Sequence, residues 1–179
     1  MAAFVLTPDE VVVGGISYDG RRLRIRPTLA VRLLNAYGVV ATMVIGAGWY
    51  LALGPTALLV VPLFGYQLAA AVRDLTCLVE GADGQLVVRN RWRSTVVLTR
   101  EVARVLVMVT DEPRPPYSYV GQWRRPDLAA CDLVLANGRQ VPCDAMTSTP
   151  RSGGWGFGGM VPAERKAAVL RRWLDLPPE

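Results

Sequence analysis

The chain has 179 residues, room for one domain of ordinary size or a smaller domain with an attachment. Apolar residues make up 51%, the net charge is +5, and histidine is absent. The missing histidine excludes Ser-His-Asp and Cys-His catalysis, histidine metal ligation and a histidine pH switch.

Cys77, Cys131 and Cys143 are odd in number and have no CxxC spacing, so neither a zinc site nor a disulfide framework is expected; reduced thiols are. Lys166 is the only lysine; every other basic residue is arginine. The mild basic balance suits an anionic membrane surface at least as well as nucleic acid, and nucleic acid is not expected as a partner.

Residues 1–28 form an N-terminal segment. Its stretch "EVVVGGISYDGRRLRIRP" either pairs two strands around Tyr18-Asp19-Gly20 and adds to a sheet, or forms a cytoplasmic arm.

From Leu33 to Val72 no residue is charged, a run of forty. A bilayer crossing takes about 20 apolar residues, and Gly54-Pro55 divides the run into segments of about that size. Gly suits a helix end and Pro suits the first turn of the next helix. The expectation is a transmembrane helical hairpin over 29–73, with helices at about 33–53 and 55–72. Arg21, Arg22, Arg24, Arg26 and Arg32 flank it on one side, and Arg73, Arg89, Arg91 and Arg93 on the other. By the positive-inside rule both termini are then cytoplasmic, in a multi-pass protein of the inner membrane. Gly38, Thr42 and Gly46 recur every four residues, as do Gly65 and Ala69. Such small-residue faces let helices pack closely, against each other or against a second copy.

From Asp74 onward the texture changes. "LTCLVE", "QLVVRN", "STVVLT", "RVLVMVT", "CDLVLA" and "RQVPCD" read as short strands, with tight turns at Asp83-Gly84 and Asn137-Gly138. In "VPAERKAAVLRRWLDL", Ala163, Ala167, Leu170 and Trp173/Leu174 share one face of a helix. Residues 74–179 are expected to fold as a six- or seven-stranded antiparallel meander closed by that helix.

"VEGADGQLVVRNRWRSTVVLTREVARVLV", followed by "DLVLANGRQVPCDA" and the final helix, resembles the bacterial pleckstrin-homology (PH) domain. The closest likeness is to small actinobacterial membrane proteins with two transmembrane helices and one such domain. The chain departs from that pattern at Thr99, where family members often carry Trp. The resemblance implies an α+β membrane protein: a two-helix transmembrane hairpin followed by a PH-like antiparallel β-barrel or sandwich with a C-terminal α-helix. It supplies no ligand.

Two motifs mislead. "GWGFGG" (154–159) fits G-x-G-x-x-G, but the chain ends before a second strand or a ribose-binding acid. "RPPYSY" (114–119) reads as an extended surface loop. No catalytic constellation emerges, no cofactor is expected, and a non-enzyme is favoured.

In an up-and-down meander, the turn at 91–93 and the loops 111–127 and 145–160 return to the membrane end. They collect Arg91, Trp92, Arg93, Trp123, Arg124, Arg125, Arg151, Trp155 and Phe157 as candidate lipid- or partner-facing residues. The leading expectation is a membrane-anchored PH-like interaction module at the cytoplasmic face, binding a protein partner or anionic lipid. The alternatives are an accessory subunit of a larger membrane complex, docking through the hairpin, and an enzyme acting on a lipid or envelope precursor. Expected partners are the bilayer and a membrane or cytoplasmic protein, or a second copy of the chain.

Overall fold

Short runs of β-branched residues, separated by tight turns, build two antiparallel sheets. The computed structural model describes residues 4–6, 15–27, 29–54, 56, 61–110, 128–147 and 160–177. The first sheet has the order β1-β2-β3-β4-β5, from Ile16–Tyr18, Leu23–Ile25, Leu78–Ala82, Gln85–Arg89 and Ser94–Leu98. The second has the order β6-β7-β8, from Val102–Thr110, Leu128–Leu135 and Gln140–Pro142. Two helices, α1 (Leu29–Leu53) and α2 (Val61–Leu75), pack together between β2 and β3 in the chain. A third, α3 (Met160–Trp173), packs on β6 and β7.

Local chemistry explains the turns. Asp83 and Gly84 both have positive φ, at 48° and 75°, as the two central residues of a type I′ hairpin require. Ala82 and Gln85 close that hairpin as partners. At the β1–β2 turn, the Asp19 carboxylate accepts the N–H groups of Arg21 at 3.1 Å and Arg22 at 2.7 Å. These bonds hold the Asp19 pKa below its ordinary value. α1 ends where Gly54 takes a φ of 58°.

The core lies between the sheets and α3. Leu23, Ile25, Val79, Leu86 and Val88 come from the first sheet, Val105, Leu133 and Val141 from the second, and Ala167, Val169 and Leu170 from α3. β4 shows the alternation of a half-buried strand, with Leu86 and Val88 inward and Gln85 and Arg89 outward. The helix face expected from the sequence is buried at Ala163, Ala167 and Leu170, and Trp173 and Leu174 pack against the core.

The N-terminal strands belong to the first sheet. β2 pairs with β3 in the register Leu23↔Gly81, Arg24↔Glu80 and Ile25↔Val79. Arg24 Nε donates to Glu80 Oε1 at 2.9 Å across that pair. The architecture is α+β, with two sheets and three helices among the described residues.

The transmembrane hairpin is overturned. Among the described residues no helix is long and apolar enough to cross a membrane. Over the described residues α2 spans 15 residues, about 22 Å at 1.5 Å per residue, against a hydrocarbon core of about 30 Å. Its last turn carries Arg73 and the fully buried Asp74, so that turn belongs to the β domain. With the hairpin go the description of the chain as a multi-pass transmembrane protein and its inner-membrane location with both termini cytoplasmic. The forty-residue uncharged run is real, but among the described residues its second half contributes only the helix that starts at Val61.

Candidate functional site

The C-terminal end of α2 and the turn joining β4 to β5 meet in a basic cleft. Arg73, Thr76, Arg89, Asn90, Arg91, Trp92, Arg93 and Ser94 line it, and its volume is about 290 Å³.

The floor of the cleft is built from paired buried charge. Asp74 is completely buried, and Arg91 is 8% exposed. Arg91 Nε donates to Asp74 Oδ1 at 2.6 Å, and a second guanidinium nitrogen donates to Asp74 Oδ2. This fork is the geometry that suits a guanidinium to a carboxylate. Burial pushes the Asp74 carboxyl above its ordinary pKa, and Arg91 opposes that shift.

Backbone and amide bonds lock the turn from the other side. The Arg91 N–H donates to Asp144 Oδ2 at 3.3 Å, and Asn90 Nδ2 donates to the Pro142 carbonyl at 2.6 Å. The Asp144 N–H donates to Asn90 Oδ1 at 3.1 Å. Asn90 and Arg93 close the turn through an N–H···O=C bond of 2.8 Å. The tip is therefore tied to α2 through Asp74 and to the second sheet through Asp144.

That anchoring presents the remaining side chains outward. Arg73, Arg89 and Arg93 are exposed, and among the described residues none of them makes an ion pair. Trp92 is 47% exposed and stacks on Tyr66 of α2, with ring centroids 5.7 Å apart and planes at 20°. The Arg73 guanidinium lies 5.1 Å from the centre of the same indole. Tyr66 and Arg73 are seven residues apart, two helical turns on one face of α2, and Trp92 bridges them.

The residues singled out in the sequence divide among these positions. Trp92 and Arg93 line the open cleft. Arg91, which the sequence places with them, points inward to Asp74 and positions the turn. Trp123, Arg124, Arg125, Arg151, Trp155 and Phe157 lie outside the described residues, as do "GWGFGG" and "RPPYSY". In α1, Thr42 Oγ1 donates to the Gly38 carbonyl at 2.7 Å, a bond within the helix. Among the described residues, no heavy atom lies within 4 Å of a Cβ placed at Gly38 or at Gly65. Gly46 and Ala69 are partly buried and exposed, respectively.

Sequence reasoning missed Asp74, Asn90 and Asp144, whose roles depend on contacts 17 to 54 residues away. One signal was available: Asp74 is the first acid after a long uncharged run, and an acid set against apolar surroundings asks for a cationic partner.

The thiols offer no nucleophile. All three are buried, and burial pushes the Cys77 and Cys143 pKa values well above the ordinary thiol range. Among the described residues no group of His, Cys, Asp and Glu is arranged to hold a metal ion. No family model, curated protein or solved structure matches the chain.

Proposed function

We propose that the protein is a PH-like interaction module that binds anionic phosphate esters, phospholipid headgroups above all, in the cleft formed by Arg73, Arg89 and Arg93. Two antiparallel sheets closed by a C-terminal helix support the PH-like reading. The observation that carries the ligand class is the set of three exposed guanidinium groups, free of ion pairs among the described residues, around a rigidly anchored turn. Four arginines face two carboxylates there, and both carboxylates are already engaged by the turn itself. A cleft of this size admits a headgroup, and planar guanidinium forks match phosphate oxygens.

The reading is of binding, not catalysis. Asp74, Asp144 and Lys166 are each committed to structural hydrogen bonds. An acidic protein segment is the competing ligand for the same arginines, and a vesicle assay separates the two.

The test is co-sedimentation of the full chain with phosphatidylcholine vesicles, with and without phosphatidylglycerol. Binding should require phosphatidylglycerol and weaken with salt. At about 1 kcal/mol per engaged arginine, Arg89→Ser with Arg93→Ser should cost roughly thirtyfold in affinity. Equal binding by the wild type and the double variant would remove the lipid reading.

A further inference from the structure

The helix that ends at the cleft, α2, packs on α1, and α1 carries a much larger apolar surface. α1 exposes Leu33, Tyr37, Val40, Val44 and Leu51, the last 85% exposed. Their spacings of four, three, four and seven residues set them on one stripe. The stripe lies across the helix from Gly38, Thr42 and Gly46, which are partly buried. Met43, Ile45, Trp49 and Tyr50 are exposed as well, so apolar exposure continues beyond the stripe around the helix. Patches of this extent mark a surface that another molecule covers.

The chemistry at the border indicates what covers it. A seam for one partner helix is narrow and flanked by charged residues. Here no residue from Leu33 to Val72 is charged, so nothing confines contact to a single line. Along α2, which packs on α1, Tyr66 stacks on Trp92, and Arg73 follows two turns later at the cleft with Arg89 and Arg93. Apolar, then aromatic, then cationic is the order in which an anionic phospholipid presents acyl chain, glycerol region and phosphate. Tyr and Trp suit the middle position, with an apolar ring body and a polar edge.

We infer that the outer face of α1 receives the acyl chains of the anionic phospholipids whose phosphates occupy the arginine cleft, with Tyr66 of α2 between them. The helix pair and the cleft are one amphiphile-binding surface. This rests on the phosphate reading of the cleft, and it calls for lipid against the helix faces, not for a helix that crosses a bilayer.

The test uses the full chain, purified in a non-ionic detergent and transferred to phosphatidylglycerol vesicles with or without bromine on the acyl chains. One reporter keeps Trp49 and replaces the other tryptophans with Phe; another keeps only Trp92. Trp49 should lose most of its emission to brominated chains, and Trp92, at the headgroup border, should lose less. Because replacing Trp173 disturbs the core, a second reporter leaves every tryptophan in place. Leu51→Cys labels selectively with an environment-sensitive dye, since the native thiols are buried. Its emission should shift to the blue on adding phosphatidylglycerol vesicles.

Bound protein with Trp49 unquenched and the Leu51→Cys dye unshifted would overturn the inference. If Arg89 and Arg93 still governed binding in that case, the cleft reading would survive alone. Quenching of Trp49 that is equal in phosphatidylcholine and phosphatidylglycerol, and indifferent to those arginines, would instead sink the cleft reading and the joint surface with it. A doubled mass with Trp49 unquenched would assign the surface to a second copy of the chain and overturn the lipid inference.

Discussion

At the scale of single residues, Lys166 is the most unusual side chain in the fold. It is the only lysine and is 1% exposed. Its Nζ donates to the Arg26 carbonyl at 2.7 Å and the Ala145 carbonyl at 3.1 Å, so it ties α3 to the end of β2 and to the turn at Asp144–Met146. Burial lowers its pKa from 10.5 to about 7, with Cys131 acting weakly in the other direction. The sign of the pH dependence follows. Between about 7 and 10.5 the unfolded chain holds a proton on Lys166 that the folded chain has released, so stability rises with pH across that interval. Cys77 and Cys143 act oppositely above about 9, where the unfolded thiols begin to ionise and the folded ones do not. The midpoint of thermal unfolding should therefore rise from about pH 6.5 to about pH 8.5. Lys166→Met should flatten that slope, and an unchanged slope in the variant would assign the effect to other groups. The spacing of Ala163, Lys166, Ala167 and Leu170 puts the lysine on the buried face. That was legible in the sequence; the two carbonyls that make its burial tolerable were not.

At the scale of elements, local signals carried the most. The Asp83-Gly84 and Asn137-Gly138 turns, the strand runs after Asp74 and the face of α3 were legible because each is decided by residues a few positions apart. β1 and β2 were legible only as one of two alternatives, since each has three residues and β2 finds its partner β3 more than 50 positions away. The contact of Trp173, at the end of α3, with β3 of the first sheet was likewise not legible, although the helical spacing puts Trp173 on the core-facing side. Its indole lies over Gly81 of β3. A Cβ at Gly81 would stand 2.6 Å from the Trp173 ring, so the absence of a side chain there is what admits the indole. Gly81→Ala should destabilise the fold by about 1–3 kcal/mol through overpacking. Trp173→Phe in the Gly81→Ala background should recover part of that loss, because a smaller ring vacates the contested space. Additive losses in the double variant, measured by urea unfolding, would show that the two residues do not compete.

At the scale of the whole molecule, the helix pair is an insertion into a sheet. The chain leaves the first sheet at Arg26, after β2, and returns at Cys77, before β3, and those two strands are hydrogen-bonded neighbours. The ends of the insertion are therefore close together, and a short linker can replace it. The uncharged run from Leu33 to Val72 made this segment stand out in the sequence as a separate element. Its consequence for the rest was hidden, because the division at Asp74 leaves part of the sheet on the far side. Leu23 and Ile25 of β2 are 1% and 0% exposed, packed in the core between β3 and the rest of the fold. Losing them costs about 1.5–3 kcal/mol each, so about 3–6 kcal/mol together. That is a large share of the 5–15 kcal/mol that holds a typical domain. Lys166 would also lose the Arg26 carbonyl. Two shortened chains test this. One carries residues 1–27 joined to 74–179 by a Gly-Ser linker of about six residues, which reaches about 20 Å when extended. The other is 74–179 alone. The linked chain should unfold cooperatively on heating, with the β-rich circular dichroism of the domain. The fragment 74–179 should melt far lower or not fold at all. Coincident melting curves would show that the first two strands are dispensable, and that the fold is complete from Asp74 onward.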